Sequence, residues 1–347
     1  MWKAILSLLT FRLSFAATPK KITAFLDGKG ESERRNAEYA APEAVRAATV
    51  QLVLRAYRDW RDYAGEIWRL TKSAVDAGAQ LVVFPEYVGL APITTVPGWR
   101  RMLRWMFGGT PPALDGPFPQ PAPGRLEAVT AALHGYLYEV YMYTFSAAAR
   151  LQHVYIAAGS FLFWEEGKLV NRCVVFGPDG EPVGAQEKIC AIGPDRALGV
   201  ESSGLIEPIE TSIGPVGVVL GSDAYYFECF KILRERGARL IAVPGVGGGV
   251  LRDLLRCRAN ETGVYALYAC YADGESARCG IFAPLDATEG RNGVVTIADG
   301  PQACALAART NLEKLHLAVT EGEPNPLFLA EDYLRSYRYC GKLPLLG

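Results

Sequence analysis

The chain has 347 residues, of which 50% are hydrophobic and 21% charged, with 36 glycines and 22 prolines. This is ordinary globular composition with length for a large core, which excludes a stapled mini-protein, a disordered chain and a collagen-like one. The 36 basic and 37 acidic residues leave a formal net charge of −1, so bulk charge draws neither nucleic acid nor an anionic surface, and no nucleic-acid partner is expected.

The first 44 residues read as a lead-in. An apolar start carries Lys3 and is interrupted by Arg12, a polar loop follows at residues 27–35, and the ordered core is expected only after Pro42. Arg12 argues against a signal peptide, and no uninterrupted apolar run reaches about 18 residues. A cytoplasmic protein without a membrane span is expected. Residues 46–54 read as a buried strand and residues 63–77 as a helix with Ile67, Leu70, Ala74 and Val75 on one side. Residues 80–84 (QLVVF) are a short, fully apolar strand that ends at Pro85-Glu86.

Residues 92–124, rich in proline and glycine, read as a long irregular insertion around the stretch 99–107, the kind of loop that rims a site. A long helix is expected over 126–150. Strands follow at 154–158, 159–163, 169–176 and 182–187, with a Pro178-Asp179-Gly180 turn. The second half alternates strands at 216–220, 239–243 and 264–270 with helices at 226–236 and 251–262. Further strands are expected at 280–284, 293–298 and 303–308. Interleaved strands and helices with hairpins imply an α+β layered fold.

Three scattered histidines, His134, His153 and His316, give little material for an imidazole zinc site or a Ser-His-Asp triad. No metal or cofactor is expected. The eight cysteines, Cys173, Cys190, Cys229, Cys257, Cys270, Cys279, Cys304 and Cys340, include no C-x-x-C pair; several sit in apolar stretches and read as buried free thiols, with disulfides as the alternative. The glycine run at 244–249 sits between a strand and a helix, as a phosphate loop would. It lacks G-x-G-x-x-G, since position 250 is Val, and it lacks the P-loop lysine.

Glu86 at a strand's carboxyl end and Lys188 after the strand at 182–187 are the first candidates for chemistry. Several blocks in order extend them. These are Phe84-Pro85-Glu86; Gly159-Ser160; Asn171 through Pro178 to Gly180; Lys188; Gly217-Val218-Val219-Leu220-Gly221-Ser222-Asp223 running on to Phe227-Glu228; Gly237-Ala238 through Pro244; and Arg258-Ala259-Asn260-Glu261 with Tyr265. Over residues from about 45 to about 312 the chain resembles the nitrilase superfamily of carbon-nitrogen hydrolases.

The resemblance implies an α-β-β-α sandwich over 45–312, preceded by the lead-in (1–44) and followed by a C-terminal tail (313–347). It also implies a homodimer, a role for which the apolar-aromatic stretch 328–339 is suited. The ligand implied is a small amide, nitrile or N-carbamoyl compound. The family's chemistry uses a cysteine thiolate, a glutamate that takes and returns its proton, and a lysine that holds the oxyanion. Glu86 matches the glutamate and Lys188 the lysine. Asp195 stands where a second glutamate often follows. The nucleophile position is Gly221, which can form no thioester, and Ser222 replaces the larger residue that usually follows it.

Cys190, Cys229 and Ser222 are the candidate substitute nucleophiles. Alternatively, Gly221 leaves room for a water that Glu86 deprotonates. The reading is therefore a hydrolase with impaired, non-covalent chemistry, set against a non-catalytic ligand-binding or scaffold relative.

Overall fold

A computed structural model describes residues 2–32, 44–109, 120–247, 249–272 and 278–320. In chain order the elements are α1 (Trp2–Ala16), α2 (Pro19–Asp27), β1 (Ala44–Val53), α3 (Trp60–Asp76), β2 (Leu81–Val83), α4 (Trp99–Met106) and α5 (Arg125–Gln152). Then come β3 (Tyr155–Ala157), β4 (Phe161–Glu165), β5 (Lys168–Phe176), β6 (Pro182–Glu187), α6 (Pro194–Leu198), β7 (Val216–Val218) and α7 (Phe227–Glu235). The described chain closes with β8 (Leu240–Pro244), α8 (Gly249–Thr262), β9 (Tyr265–Ala272), β10 (Gly280–Phe282), β11 (Val294–Ile297), β12 (Cys304–Asn311) and α9 (Leu312–Thr320).

Side chains alternate across a strand, and here both faces are apolar, so each sheet must be covered twice. In the first sheet Val45, Ala47, Leu81 and Val83 face inward, where they meet Val216, Val218, Leu240, Ala242 and Leu267 of the second sheet. The opposite parity, Ala48, Val50, Leu52, Val82 and Phe84, faces α3 and α5. On the far side Ile241, Val243, Ala266 and Tyr268 pack against Phe230 and Leu233 of α7 and Leu255 and Ala259 of α8. Four layers result, helix, sheet, sheet and helix, which is the sandwich expected from the sequence.

The first sheet runs β12, β1, β2, then β3 and β4, then β5 and β6, with β1, β2 and β3 parallel. The second runs β7, β8, β9, β10, β11. Strand β9 belongs to both, because its last residues pair with β1 through Gln51↔Cys270 and Val53↔Ala272. The carboxyl ends of β2, β7 and β8 meet at one edge of the sandwich, where the candidate residues cluster.

The lead-in corrects one expectation. Rather than preceding the core, it supplies two helices to the outer layer: Leu6, Leu13 and Ala17, then Ile22 and Leu26, are buried with α3 and α5. Trp60 Nε1 donates to Ala16 O at 3.0 Å, which ties the lead-in to the start of α3. A local signal existed, since Thr18 caps α2 by accepting from Lys21 N at 3.4 Å, and Pro19 occupies the first helical turn. The insertion at 92–124 is also less irregular than expected, because it contains α4 with Met102 and Met106 buried. Residues 110–119 lie outside the described residues, as do 328–339 and Cys340.

The seven described cysteines are free, and Cys173, Cys229, Cys270 and Cys279 among them are buried. Among the described residues no helix is long and apolar enough to cross a membrane.

Candidate active site

Glu86 leaves β2 on a turn that other elements fix. Its N–H donates to Gly245 O (3.2 Å), which makes the glycine run a rim of this site. The next residue, Tyr87, adopts φ 59° and donates its N–H to Ser160 Oγ (2.8 Å). Gly159 is required by close approach. At φ +65° a β-carbon there would stand 2.0 Å from Pro85 O. The Gly159-Ser160 pair thus shapes the turn that buries Glu86.

Lys188 follows β6, and its N–H donates to Asn171 O on β5 (2.8 Å). Its ammonium donates to Glu86 Oε1 (3.0 Å) and Leu220 O (2.9 Å) and is ion-paired with Asp195 Oδ2 (3.4 Å). Asn171 Nδ2 lies between the acids, 3.1 Å from Glu86 Oε1 and 3.2 Å from Asp195 Oδ1. Tyr87 OH also donates to Asp195 Oδ1. Asp223 braces the turn from the other sheet, accepting from Ile189 N (2.8 Å) and Cys190 N (2.9 Å). Lys188 is thereby held on both sides of the gap between sheets.

One buried ammonium thus faces three acids. Burial pushes the Glu86 carboxyl above its ordinary range; Lys188 opposes the shift and Asp195 reinforces it. Burial also raises Asp223, against Lys188 and the two backbone donors. Burial alone would lower Lys188, but Glu86, Asp195 and Asp223 together outweigh it and raise its pKa.

Gly221 lies at the end of the β7 segment, where a single 3-10 turn begins. Its φ is +42°, and a β-carbon there would stand 2.1 Å from Glu86 Oε2. The structure therefore brings together Glu86, Lys188, Asp195 and Gly221. It does not bring the candidate thiols to them. Cys190 Sγ accepts from Tyr226 OH at 3.5 Å, and Cys229 is packed with Phe230 and Leu233, its thiol pushed up to about 12 by burial. Ser222 Oγ is buried without a hydrogen-bond partner. Among the described residues no thiol or hydroxyl is hydrogen bonded to Glu86 or Lys188. Cys190→Ala is accordingly expected to leave any amide turnover within about twofold, measured as ammonia release; a loss of about tenfold or more would make that sulfur the nucleophile.

Tyr87 and the side chain of Asn171 were missed as site residues. Asn171 had a signal, since it opens the motif that runs to Gly180, whereas Tyr87 had none beyond following Glu86. An apolar cavity of about 230 Å³ is lined by Leu90, Leu133, Phe161, Leu162, Leu169 and Leu198, none of them a member of the polar cluster. Several walls come from the elements that carry the polar groups. Leu169 is two residues before Asn171 on β5, Leu162 pairs with Asn171 across the ladder, and Leu198 shares α6 with Asp195.

Residues 46–289 match the family model described as carbon-nitrogen hydrolase. Probable hydrolase YhcX of Bacillus subtilis is 24% identical over 272 residues, covering 74% of this chain and 48% of YhcX. Omega-amidase NIT2 of Xenopus tropicalis is 30% identical over 145 residues, 38% of this chain and 52% of that protein. The chain thus spans about half the length of the curated relatives it matches. Among solved structures, a carbon-nitrogen hydrolase from Helicobacter pylori G27 superimposes with a TM-score of 0.62 at 18% identity, covering 87% of this chain and 97% of that one. A double mutant of the amidase from Nesterenkonia sp. AN1 in complex with acrylamide gives 0.56 at 16% identity, over 84% and 98%. At such identities the superpositions speak for the fold, and the family match speaks for descent: the chain belongs to the carbon-nitrogen hydrolase family of the nitrilase superfamily.

Proposed function

We propose that this protein binds a small amide, nitrile or N-carbamoyl compound beside Glu86 and Lys188 and hydrolyses it slowly without a covalent intermediate. Gly221 stands at the nucleophile position. The observation that carries the reading is that a β-carbon at this residue would lie against the Glu86 carboxylate, so the residue facing the base offers no side chain to attack with. In the amide case Glu86 takes a proton from water and the hydroxide adds to the carbonyl carbon. Lys188 holds the oxyanion, exchanging its longest contact, to Asp195, for the substrate oxygen. The C–N bond then breaks as Glu86 returns the proton to the leaving nitrogen. Asp195, with Tyr87 and Asn171, keeps Lys188 and Glu86 in place. The apolar cavity takes the non-reacting part of the ligand; it exceeds the roughly 150 Å³ that suffices for benzene.

A binding-only reading is favoured by a different observation. Lys188 is already engaged inside the protein, hydrogen bonded to Glu86 and to Leu220 O and ion-paired with Asp195. Ammonia release from acetamide, phenylacetamide, phenylacetonitrile and an N-carbamoyl amino acid decides between them. The slow hydrolase is expected to show weak turnover, greatest for phenylacetamide and reduced by about 100-fold or more in Glu86→Ala. Turnover absent from the panel, with thermal stabilisation by phenylacetamide retained, would leave the binding protein. The homodimer belongs to the same proposal, and light scattering on the full chain should give twice the monomer mass.

A further inference from the structure

The near-neutral total charge hides a local excess. Residues 1–26 contain Lys3, Arg12, Lys20 and Lys21 and no acidic residue; the first acid is Asp27. This segment forms α1 and nearly all of α2, and α1 is apolar on two sides. Leu6, Leu9, Leu13 and Ala17 turn toward the outer helical layer, where α1 packs on α5. Leu8, Phe11 and Phe15, spaced i, i+3 and i+7, form a second stripe that is 57%, 66% and 61% exposed. The rings of Phe11 and Phe15 meet edge-on at 5.2 Å. Arg12 is exposed beside them, Lys20 and Lys21 are exposed at the start of α2, and Lys21 Nζ donates to Phe15 O. A surface helix normally turns one apolar stripe to the core and polar residues to the opposite side. Here the outer side carries large apolar side chains edged by positive charge.

We propose that α1 docks the protein on a lipid surface bearing anionic headgroups. Leu8, Phe11 and Phe15 enter the boundary between headgroups and acyl chains while Arg12, Lys20 and Lys21 lie over lipid phosphates. The helix lies in the plane of the surface, consistent with its failing the length and apolarity needed to cross it. The charge argues for lipid over a second copy of the chain, because a two-fold contact through this stripe would set the exposed cations Arg12, Lys20 and Lys21 against the same three. The inference is independent of the amide-site proposal.

Vesicle flotation tests it, using the full chain with phosphatidylcholine vesicles and with vesicles containing about one-third phosphatidylglycerol. Binding is expected only to the anionic vesicles and is expected to weaken at high salt. A Phe11→Ser/Phe15→Ser double variant and an Arg12→Glu/Lys20→Glu double variant should each lose at least about tenfold in vesicle affinity. These positions are exposed, and unchanged unfolding midpoints would confirm that both variants fold. Absence of binding to the anionic vesicles overturns the proposal, as does binding unchanged in folded Phe11→Ser/Phe15→Ser. A dimer abolished by that variant, without any vesicle binding, would overturn it in favour of self-association.

Discussion

Lys188→Met is expected to lower the unfolding free energy by about 3–5 kcal/mol, the usual cost of removing one partner from a buried ion pair. The ammonium is buried and is the cation that reaches Glu86 and Asp195 directly, so the substitution strands carboxylates rather than only deleting a contact. Its pH dependence separates charge from packing. The Glu86 carboxyl already lies above its ordinary 4.5, so the native state keeps that proton to higher pH than the unfolded chain does. Stability from this group therefore falls as pH climbs from about 4.5 through the folded value. Lys188 lies above its ordinary 10.5; its contribution is complete below that value and is lost as pH rises through the folded one. Without Lys188 the carboxyl moves further upward and its window widens toward neutrality. The stability lost in Lys188→Met, from guanidinium unfolding, should thus be larger at pH 8 than at pH 5. Equal losses at both would assign the effect to packing.

Gly221→Ala is expected to cost about 2–4 kcal/mol, from two sources. A φ of +42° is unfavourable for any residue with a β-carbon, and that carbon would lie 2.1 Å from Glu86 Oε2 and 2.9 Å from Cδ. Glu86 cannot swing away freely, because its other oxygen is held by Lys188 and Asn171. The contact is separable by a double-mutant cycle with Glu86→Ala, where a coupling of about 1–3 kcal/mol is expected. Additive costs would show that the carboxylate yields easily and that backbone strain is the whole effect. For the same reason Gly221→Cys alone should not create an efficient amidase. A gain in ammonia release of more than about tenfold would show that the pocket still accommodates a thiolate next to its base.

The inner strands were legible because they are apolar on both faces and bounded by turns, as in residues 80–84 and 239–243. Order of motifs, rather than any one residue, located Glu86, Lys188 and Gly221, since a strand-end glutamate by itself is ordinary. The supporting contacts were not legible in the same way. Asn171 meets Glu86 across 85 positions and Tyr87 meets Asp195 across 108, and no periodicity records such a meeting. The outer helix α1 was lost for a different reason. Apolar stripes on two sides of α1 blur the amphipathic period that would have announced a helix.

Strand β9, shared by the two sheets, carries a mechanical consequence. Glu86 and Lys188 are borne by one sheet, whereas Gly221 and Asp223 are borne by the other, so sliding the sheets would pull the site apart. The common strand ties their relative position at the Gln51–Val53 seam, so the two halves of the cluster keep their spacing only while that seam holds.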